Sequence, residues 1–144
     1  MSARTLHSEA DTALFAASVA KSLRGGVTIG LEGELGAGKT TFVRYLIKAL
    51  GGKAEEVASP TFTLEYEYSV DGGLRVEHWD LYRLTAAPPE LLEPPSAKVL
   101  RIIEWPSRCP EILADIDLRL EIGLLEGDAR TVSISGALAQ SLPV

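Results

Sequence analysis

The residues with the clearest chemical meaning are 33–40, which read Gly-Glu-Leu-Gly-Ala-Gly-Lys-Thr. They match the complete G-x-x-x-x-G-K-[ST] phosphate-loop pattern. Glycines in such a loop let backbone N–H groups point at phosphate oxygens, and the N-terminus of the following helix adds a positive field. The pattern predicts that Lys39 contacts the β- and γ-phosphates and that the Thr40 hydroxyl binds Mg²⁺. A site for a nucleoside triphosphate and Mg²⁺ is therefore the first functional prediction.

Two acidic residues follow short apolar segments and are candidates for the metal. Asp80 ends the segment 76–80, and Glu104 ends the more apolar segment 100–104. Phosphate-loop sites need a second group for Mg²⁺, usually an acid at the end of a neighbouring strand. We assign Glu104 to Mg²⁺, directly or through a water, and Asp80 to the metal shell or to the attacking water, with the reverse assignment left open. The predicted catalytic group is Lys39, Asp80 and Glu104, and the predicted metal group is Thr40, Glu104 and Asp80.

Other residues near these acids are expected to pack rather than to react. His78 lies in a strand pattern, where a histidine is more often a packed side chain than a catalytic base. Trp79 and Trp105 each border a candidate acid and are expected to fill the core or its rim. Cys109 is the only cysteine, which excludes an intramolecular disulfide and a cysteine-based zinc site.

The elements that must position these residues follow from hydrophobic periodicity and turn signals. Apolar residues near a period of 3.6 predict helices at 8–24 and 39–50, each followed by a Gly-Gly pair that ends it. Short apolar or alternating segments predict strands at 27–31, 61–68, 74–82, 99–105, 116–125 and 130–135. Glycine-containing turns join two pairs of these strands into hairpins. The proline-rich segment 85–98 is expected to be a loop with at most a short helix at 90–93.

Two helices and roughly seven strands predict an α/β or α+β sheet, of which we choose α/β. The strands around the phosphate loop should be parallel and the hairpins antiparallel. The expected architecture is therefore a P-loop NTPase-like three-layer fold with a mixed parallel/antiparallel sheet and β-hairpins. A chain of 144 residues is enough for one core. We expect a single P-loop ATPase domain over 1–144, in which 136–144 form a loose tail.

Composition and missing motifs narrow the class of protein. The net charge of −6 argues against the chain gripping nucleic acid alone, so an RNA would be held by another protein. No segment has the apolar length of a membrane span or the form of a signal peptide, so we expect a cytosolic protein without a membrane partner. The chain has no asparagine, which argues against the Asn-Lys-x-Asp base recognition of a regulatory GTPase. A small-molecule kinase stays open, as does a binding module that ATP gates without required hydrolysis.

Four motifs taken together resemble one family. They are 33–42 around the phosphate loop, Ser-Pro-Thr-Phe-Thr-Leu at 59–64, His-Trp-Asp-Leu-Tyr-Arg-Leu at 78–84 and Ile-Glu-Trp-Pro at 103–106. In this order and at these spacings they resemble the TsaE family, also called YjeE, over most of residues 8–135. The resemblance implies an ATPase, weak alone and stimulated by partners, in the biosynthesis of threonylcarbamoyladenosine on tRNA. It implies ATP and Mg²⁺ as cofactors. It also implies TsaD-class and TsaB-class partners that transfer threonylcarbamoyl to the adenosine beside the anticodon, with tRNA contacted only through the complex.

The same resemblance implies roles for individual residues. Thr40 and Glu104 match magnesium ligands, Asp80 matches a catalytic or metal-shell acid, and 59–61 match a loop that resembles a nucleotide-sensing switch. Residues Thr12 and Arg130 match positions near the nucleotide. The predicted nucleotide contacts are therefore Thr12, Glu34, Leu35, Gly36, Ala37, Gly38, Lys39, Thr40, Thr41 and Arg130. The chain departs from the family between 84 and 103, where it is shorter and rich in proline, which puts the partner contacts of that surface in question.

Overall fold

Seven β-strands and two α-helices form the regular structure of residues 2–58 and 64–142, which the computed structural model describes. The helices are α1 (Glu9–Ala20) and α2 (Lys39–Ala49). The strands are β1 (Ser2–Leu6), β2 (Thr28–Glu32), β3 (Glu65–Ser69), β4 (Arg75–Asp80), β5 (Val99–Glu104), β6 (Leu118–Leu124) and β7 (Arg130–Ser135). All seven belong to one sheet with the order β1-β7-β6-β2-β5-β4-β3.

The centre of the sheet is parallel and its margins are antiparallel. Strands β6, β2, β5 and β4 run parallel, whereas β3 pairs antiparallel with β4, β7 with β6, and β1 with β7. Strands β2 and β5 are buried along their whole length, as expected of parallel strands that are covered on both faces. The mixed α/β sheet predicted from the periodicity is therefore confirmed.

The two faces of the sheet are covered in different ways. On one face, α1 and α2 pack against the sheet through apolar side chains that include Phe15 and Phe42, whose ring centres lie 5.9 Å apart. On the other face, short 3-10 turns supply the third layer. One apolar cluster joins those turns to the sheet, and it consists of Trp79, Leu81, Leu91, Ile103, Cys109 and Ile112. The three-layer arrangement thus has turns, rather than α-helices, as its third layer.

Side-chain alternation along β4 and β5 decides which residues face the helices. Trp79 and Ile103 pack in the cluster below the turns. Successive side chains of a strand point to opposite faces. His78 and Asp80 on β4, and Glu104 on β5, therefore share the helix side of the sheet, and the register places Asp80 beside Glu104.

Helix α1 begins as predicted but ends earlier. The Ser8 side chain accepts a hydrogen bond from the Asp11 N–H at 3.2 Å and caps the helix. The helix ends at Ala20 rather than at 24, because the N–H groups of Ser22 and Leu23 bond to carbonyls three residues back. Such bonds tighten the chain into a 3-10 turn, so the predicted helix was too long at its C-terminus.

Both ends of the chain differ from the prediction. Strand β1 was not predicted; it pairs with β7 along its whole length, and Leu6 is its only buried residue. The segment 136–144, predicted as a loose tail, instead forms over its described part a 3-10 turn (Ala137–Ser141) followed by buried Leu142. The Leu138 N–H donates to the Asp117 carbonyl oxygen at 2.9 Å, which fixes this turn at the start of β6.

The other predicted elements are confirmed with small shifts. Strands β2, β4, β5, β6 and β7 differ from the predicted ranges by at most two residues at either end. A 3-10 turn at Pro89–Leu92 matches the short helix expected in the proline-rich loop. The part of the predicted strand 61–68 that is described begins at Glu65, and 59–63 lie outside the described residues. In residues 2–58 and 64–142, neither helix has the length and apolar character needed to cross a membrane.

Candidate functional site

The phosphate loop connects the carboxyl end of β2 to the first turn of α2. Gly33, Gly36 and Gly38 have φ values of 152°, 81° and 105°, a region that residues with a Cβ rarely adopt. Gly38 is the N-cap of α2 and makes no side-chain capping bond, and the first N–H groups of a helix have no intrahelical partner. The loop and the helix start therefore form a concave set of N–H donors, which suits an anion.

Lys39 spans this loop. Its Nζ donates to the carbonyl oxygen of Gly33 at 2.5 Å and to that of Glu34 at 3.2 Å. The same ammonium group lies 4.5 Å from the centre of the Trp105 ring, within the range of a cation–π interaction. The loop carbonyls and the aromatic ring thus fix the position of the ammonium group at the mouth of the loop.

Opposing electrostatic effects act on the Lys39 ammonium group. Burial lowers the pKa of Lys39, because a charged group loses its hydration in the interior. The carboxylates of Glu104, Asp80 and Glu32 oppose this shift, in that order of strength. The lysine is therefore the positive centre of a small group of acids.

Asp80 and Glu104 end two adjacent parallel strands and stand opposite each other in the register. They are only 6% and 2% exposed. The Asp80 Oδ1 accepts a hydrogen bond from the Tyr82 N–H at 2.8 Å, and the Glu104 Oε2 lies 2.6 Å from His78 Nε2. Two buried carboxylates side by side need positive charge nearby. Lys39 supplies part of that charge, and a metal ion would supply more.

A cleft opens beside the phosphate loop between these carboxylates, and we call it the carboxylate cleft. It brings together the four side chains with predicted catalytic or metal roles, Lys39, Thr40, Asp80 and Glu104. Its full lining is Leu35, Gly36, Gly38, Lys39, Thr40, Thr41, Asp80, Glu104 and Trp105. Mg²⁺ prefers oxygen ligands, and one hydroxyl with two carboxylates next to a phosphate-binding loop fits that ion.

A second cavity adjoins the phosphate loop, and we call it the arginine cavity. Thr12 and Arg130, which the family resemblance places near the nucleotide, both line it. The Arg130 Nε donates to the Ala37 carbonyl oxygen at 2.8 Å, which attaches this side chain to the loop. Gly38 and Thr41 line both cavities. The full lining is Leu6, Glu9, Thr12, Phe15, Ala37, Gly38, Thr41, Phe42, Ile122, Asp128, Arg130 and Val132.

The other predicted nucleotide contacts lie on or near these cavities. Leu35 lines the carboxylate cleft at the tip of the loop and is 66% exposed. The Glu34 side chain lines neither cavity, and its contribution to the site is the backbone carbonyl that accepts from Lys39. The predicted switch residues 59–61 lie outside the described residues. Their role, like each individual contact to nucleotide or metal, stays a prediction.

Sequence reasoning missed an aromatic and cationic stack beside the carboxylate cleft. Trp105 was expected only to pack, yet its ring lies next to the Lys39 ammonium and 4.9 Å from the centre of the Tyr82 ring. The Arg108 guanidinium lies 4.7 Å from the Tyr82 ring centre and 5.6 Å from that of Trp105. A signal was available, because Trp105 directly follows a candidate metal acid and Tyr82 lies two residues after the other.

The turn that presents Trp105 is held by a buried acid. Trp105 has φ 59° and ψ 47°, a left-handed conformation that costs about 1–2 kcal/mol for a residue with a Cβ. The Glu32 carboxylate accepts hydrogen bonds from the Ser107 N–H at 2.8 Å and from the Ser107 hydroxyl at 2.9 Å. These two bonds offset part of the backbone strain and fix the ring over the lysine.

A parallel strand followed by a glycine-rich loop and a helix, with acids at the ends of neighbouring strands, defines a P-loop α/β protein. Comparison with known proteins then identifies the family. Residues 6–132 match the family described as Threonylcarbamoyl adenosine biosynthesis protein TsaE, and the chain belongs to this family. The resemblance seen in the four sequence motifs is therefore confirmed.

Individual relatives support the same assignment. The chain is 42% identical over 130 residues to the tRNA threonylcarbamoyladenosine biosynthesis protein TsaE of Aquifex aeolicus (strain VF5), covering 90% of this chain and 92% of the relative. It is 34% identical over 134 residues to the protein of the same name from Rickettsia typhi, with the same coverage. Among solved structures, the crystal structure of Bacillus subtilus YdiB superposes with a TM-score of 0.71 at 26% identity, over 94% of this chain and 85% of that one.

Proposed function

We propose that this chain is a Mg²⁺-dependent ATP hydrolase that supports threonylcarbamoyl transfer to the adenosine beside the anticodon of tRNA. TsaD-class and TsaB-class partners perform the transfer in this proposal, and tRNA meets the chain only through the complex. Hydrolysis is weak in the isolated chain and is stimulated by the partners. We place the reaction in the cytosol, where tRNA is available.

The convergence of Lys39, Thr40, Asp80 and Glu104 on the carboxylate cleft carries this proposal. These are the residue types that phosphoryl transfer from a nucleoside triphosphate requires: an ammonium group, a hydroxyl and two carboxylates beside an N–H-lined loop. The names of the relatives support the pathway, because both are called tRNA threonylcarbamoyladenosine biosynthesis proteins. The partner classes rest on the family resemblance.

Each part of the site has a distinct task in the proposed reaction. The loop N–H groups and Lys39 bind phosphate oxygens and stabilise the charge that develops as the terminal phosphoryl group leaves. Thr40 and one of the two acids, Glu104 in our assignment, would hold Mg²⁺ directly, with the other acid, Asp80, in the metal shell; the ion when bound neutralises phosphate charge. The acid that is not a direct ligand orients the water that attacks the terminal phosphorus while the bond to the ADP oxygen breaks. The arginine cavity, with Thr12 and Arg130, receives the nucleoside.

A small-molecule kinase is the weaker alternative. Kinases of this loop class clamp the transferred phosphate with arginines. Here Arg75 pairs with Glu67 at 3.4 Å, and Arg101 pairs with Glu77 at 3.0 Å. Both arginines lie toward the amino ends of β4 and β5, away from the acids at the carboxyl ends. Arg108 does lie beside the carboxylate cleft, where it stacks on Tyr82 and Trp105, so transfer of phosphate to a small-molecule acceptor has to be assayed to exclude a kinase. The other alternative is a binding module that ATP gates without hydrolysis. Measuring ATP turnover distinguishes it from the proposed hydrolase.

Replacing the loop lysine tests the nucleotide assignment. Hydrogen bonds to charged groups contribute about 1.5–3 kcal/mol, so Lys39→Ala should weaken Mg²⁺-ATP binding by about 10- to 150-fold. Lys48→Ala, in the last turn of the same helix and exposed, is the matched control. Isothermal titration calorimetry gives the affinity, and circular dichroism checks that both variants fold. Unchanged ATP affinity in folded Lys39→Ala would remove the assignment.

A further inference from the structure

A buried chain of hydrogen bonds leads from β3 to the carboxylate cleft. The Tyr68 hydroxyl oxygen lies 3.1 Å from His78 Nδ1, and His78 Nε2 lies 2.6 Å from Glu104 Oε2. His78 is fully buried, and Tyr68 is 5% exposed. Both nitrogens of the imidazole ring are thus engaged, and one of the partners is an acid that we propose for Mg²⁺.

The sheet register brings these three side chains together. On β4, His78 lies between Val76, which pairs with Tyr68 on β3, and Asp80, which pairs with Glu104 on β5. Tyr68 and Glu104 therefore approach His78 diagonally from opposite sides, on the same face of the sheet. Diagonal neighbours lie within reach of long and aromatic side chains. The contact is consequently built into three strands of the core.

The distances between Tyr68, His78 and Glu104 fit one direction of hydrogen-bond donation. A carboxylate accepts hydrogen bonds and does not donate them, so we place the proton of the 2.6 Å contact on His78 Nε2. Nδ1 then accepts from the Tyr68 hydroxyl, whose other acceptor, the Ala58 carbonyl oxygen, is farther away at 3.5 Å. Burial raises the pKa of Tyr68, so its hydroxyl retains the proton that it donates. The donors therefore run in one direction, from Tyr68 to His78 to Glu104.

We propose that His78, oriented by Tyr68, is a positioning residue that fixes the Glu104 carboxylate for a divalent cation in the carboxylate cleft. The inference rests on the proposed Mg²⁺-dependent function. The bond from Nε2 occupies Oε2 and sets the plane of the carboxylate, which leaves Oε1 for the cation. Partners that hydrogen-bond to a metal ligand fix its orientation in this way, and their loss typically weakens metal binding by about 10- to 100-fold.

A first test reads the tautomer directly in the metal-free protein. The chain contains only two histidines, His7 and His78, so ¹⁵N NMR of the imidazole nitrogens is simple to assign with a His7→Gln variant. We expect the His78 proton on Nε2, with Nδ1 showing the shift of a hydrogen-bond acceptor. A proton on Nδ1 alone would overturn the proposal, because His78 could then not donate to Glu104.

A second test measures metal binding without turnover. Electron paramagnetic resonance follows Mn²⁺ binding to the full chain in the presence of a non-hydrolysable ATP analogue. His78→Leu removes the donor and should weaken Mn²⁺ binding by about 10- to 100-fold, whereas His78→Gln keeps an N–H donor and should stay close to wild type. Tyr68→Phe removes the first link and should give a smaller loss. Tyr66→Phe removes a hydroxyl from the same strand and should change nothing.

The outcomes separate a positioning role from a packing role. A histidine that only packs would lower the melting temperature of both His78 variants equally and leave Mn²⁺ affinity unchanged, which would overturn the proposal. If His78→Leu does not fold, Tyr68→Phe still tests the positioning role. Unchanged Mn²⁺ affinity in that variant would contradict the proposed series of hydrogen bonds from Tyr68 through His78 to Glu104. Absence of metal-dependent analogue binding in the wild type would instead refute the proposed function, and this inference with it.

Discussion

Replacing Arg130 by methionine should loosen the phosphate loop, although Arg130 lies far from it in sequence. The Nε atom donates to the Ala37 carbonyl oxygen at 2.8 Å, and Nη1 donates to the carbonyl oxygens of Gly127 and Ala129 at 2.9 and 2.8 Å. The guanidinium group thus ties the loop to the turn between β6 and β7. Methionine preserves much of the side-chain length but none of the three bonds.

The bond to Ala37 dominates the expected cost. Ala37 is fully buried, whereas Gly127 is exposed, so only the carbonyl of Gly127 readily regains water when the arginine is removed. A hydrogen bond to a charged group contributes about 1.5–3 kcal/mol when its partner is left unsatisfied, and exposed bonds contribute much less. We therefore expect Arg130→Met to lower the free energy of unfolding by about 2 kcal/mol. In a chain of this size, that corresponds to a melting temperature lower by about 5–8 °C.

Thermal unfolding followed by circular dichroism measures this loss, and calorimetric titration measures the affinity for Mg²⁺-ATP. The affinity should fall at least about tenfold, the equivalent of one lost charged hydrogen bond. Arg24→Met, at an exposed arginine that follows α1, is the control, and a surface change of this kind should alter the free energy of unfolding by no more than about 0.5 kcal/mol. A melting temperature and ATP affinity equal to wild type in Arg130→Met would show that the guanidinium group does not support the phosphate loop, contrary to this prediction.

Two further predictions concern the loop glycines and an acidic cluster on the sheet. A Cβ at Gly33 would lie 2.5 Å from the Ile122 carbonyl oxygen, whereas a Cβ at Gly36 has nothing within 4 Å. In urea unfolding, Gly36→Ala should lower the free energy of unfolding by about 1 kcal/mol, and Gly33→Ala should lower it by at least twice as much. Equal losses would contradict the close approach of Gly33 to the Ile122 carbonyl oxygen. Burial, and then repulsion by Glu67 and Glu77, raises the pKa of Glu65 from 4.5 to about 7. Because the pKa of Glu65 is higher in the folded than in the unfolded chain, the free energy of unfolding falls as the pH rises from 4.5 to about 7. Glu65→Gln should therefore stabilise the chain at pH 8 by about 1 kcal/mol after discounting for solvent screening, and by little at pH 4. A gain that is independent of pH in the same urea assay would contradict this assignment.

The central part of the fold and site was predictable because it is encoded in contiguous patterns. The phosphate loop needs its glycines and its Lys-Thr pair next to one another, so the motif, its strand and α2 can be read together. Asp80 and Glu104 each end an apolar strand, and parallel strands bring their carboxyl ends to one edge of a sheet. Their proximity therefore follows once the strands are recognised as neighbours.

Other features depend on partners that are distant in sequence. Strand β1 has a single buried residue, Leu6, so no alternation reveals it, and it exists because β7 provides an edge for it. The sequence around His78 shows the same strand pattern whether its ring only packs or also donates to Glu104, which is 26 residues away. The left-handed backbone of Trp105 is stabilised by hydrogen bonds between Glu32 and Ser107. Because these residues are 75 positions apart, the sequence around Trp105 does not predict this contact.

Phosphate release from Mg²⁺-ATP by the purified chain, alone and with TsaD-class and TsaB-class proteins, tests the proposed function most directly. We expect slow release by the chain alone, strong stimulation by the two partners, and loss of that stimulated rate in Glu104→Ala and in Asp80→Ala. Equal release with and without the partners would contradict a role in the modification complex. Full stimulated activity in both acid variants would contradict the assignment of the carboxylate cleft.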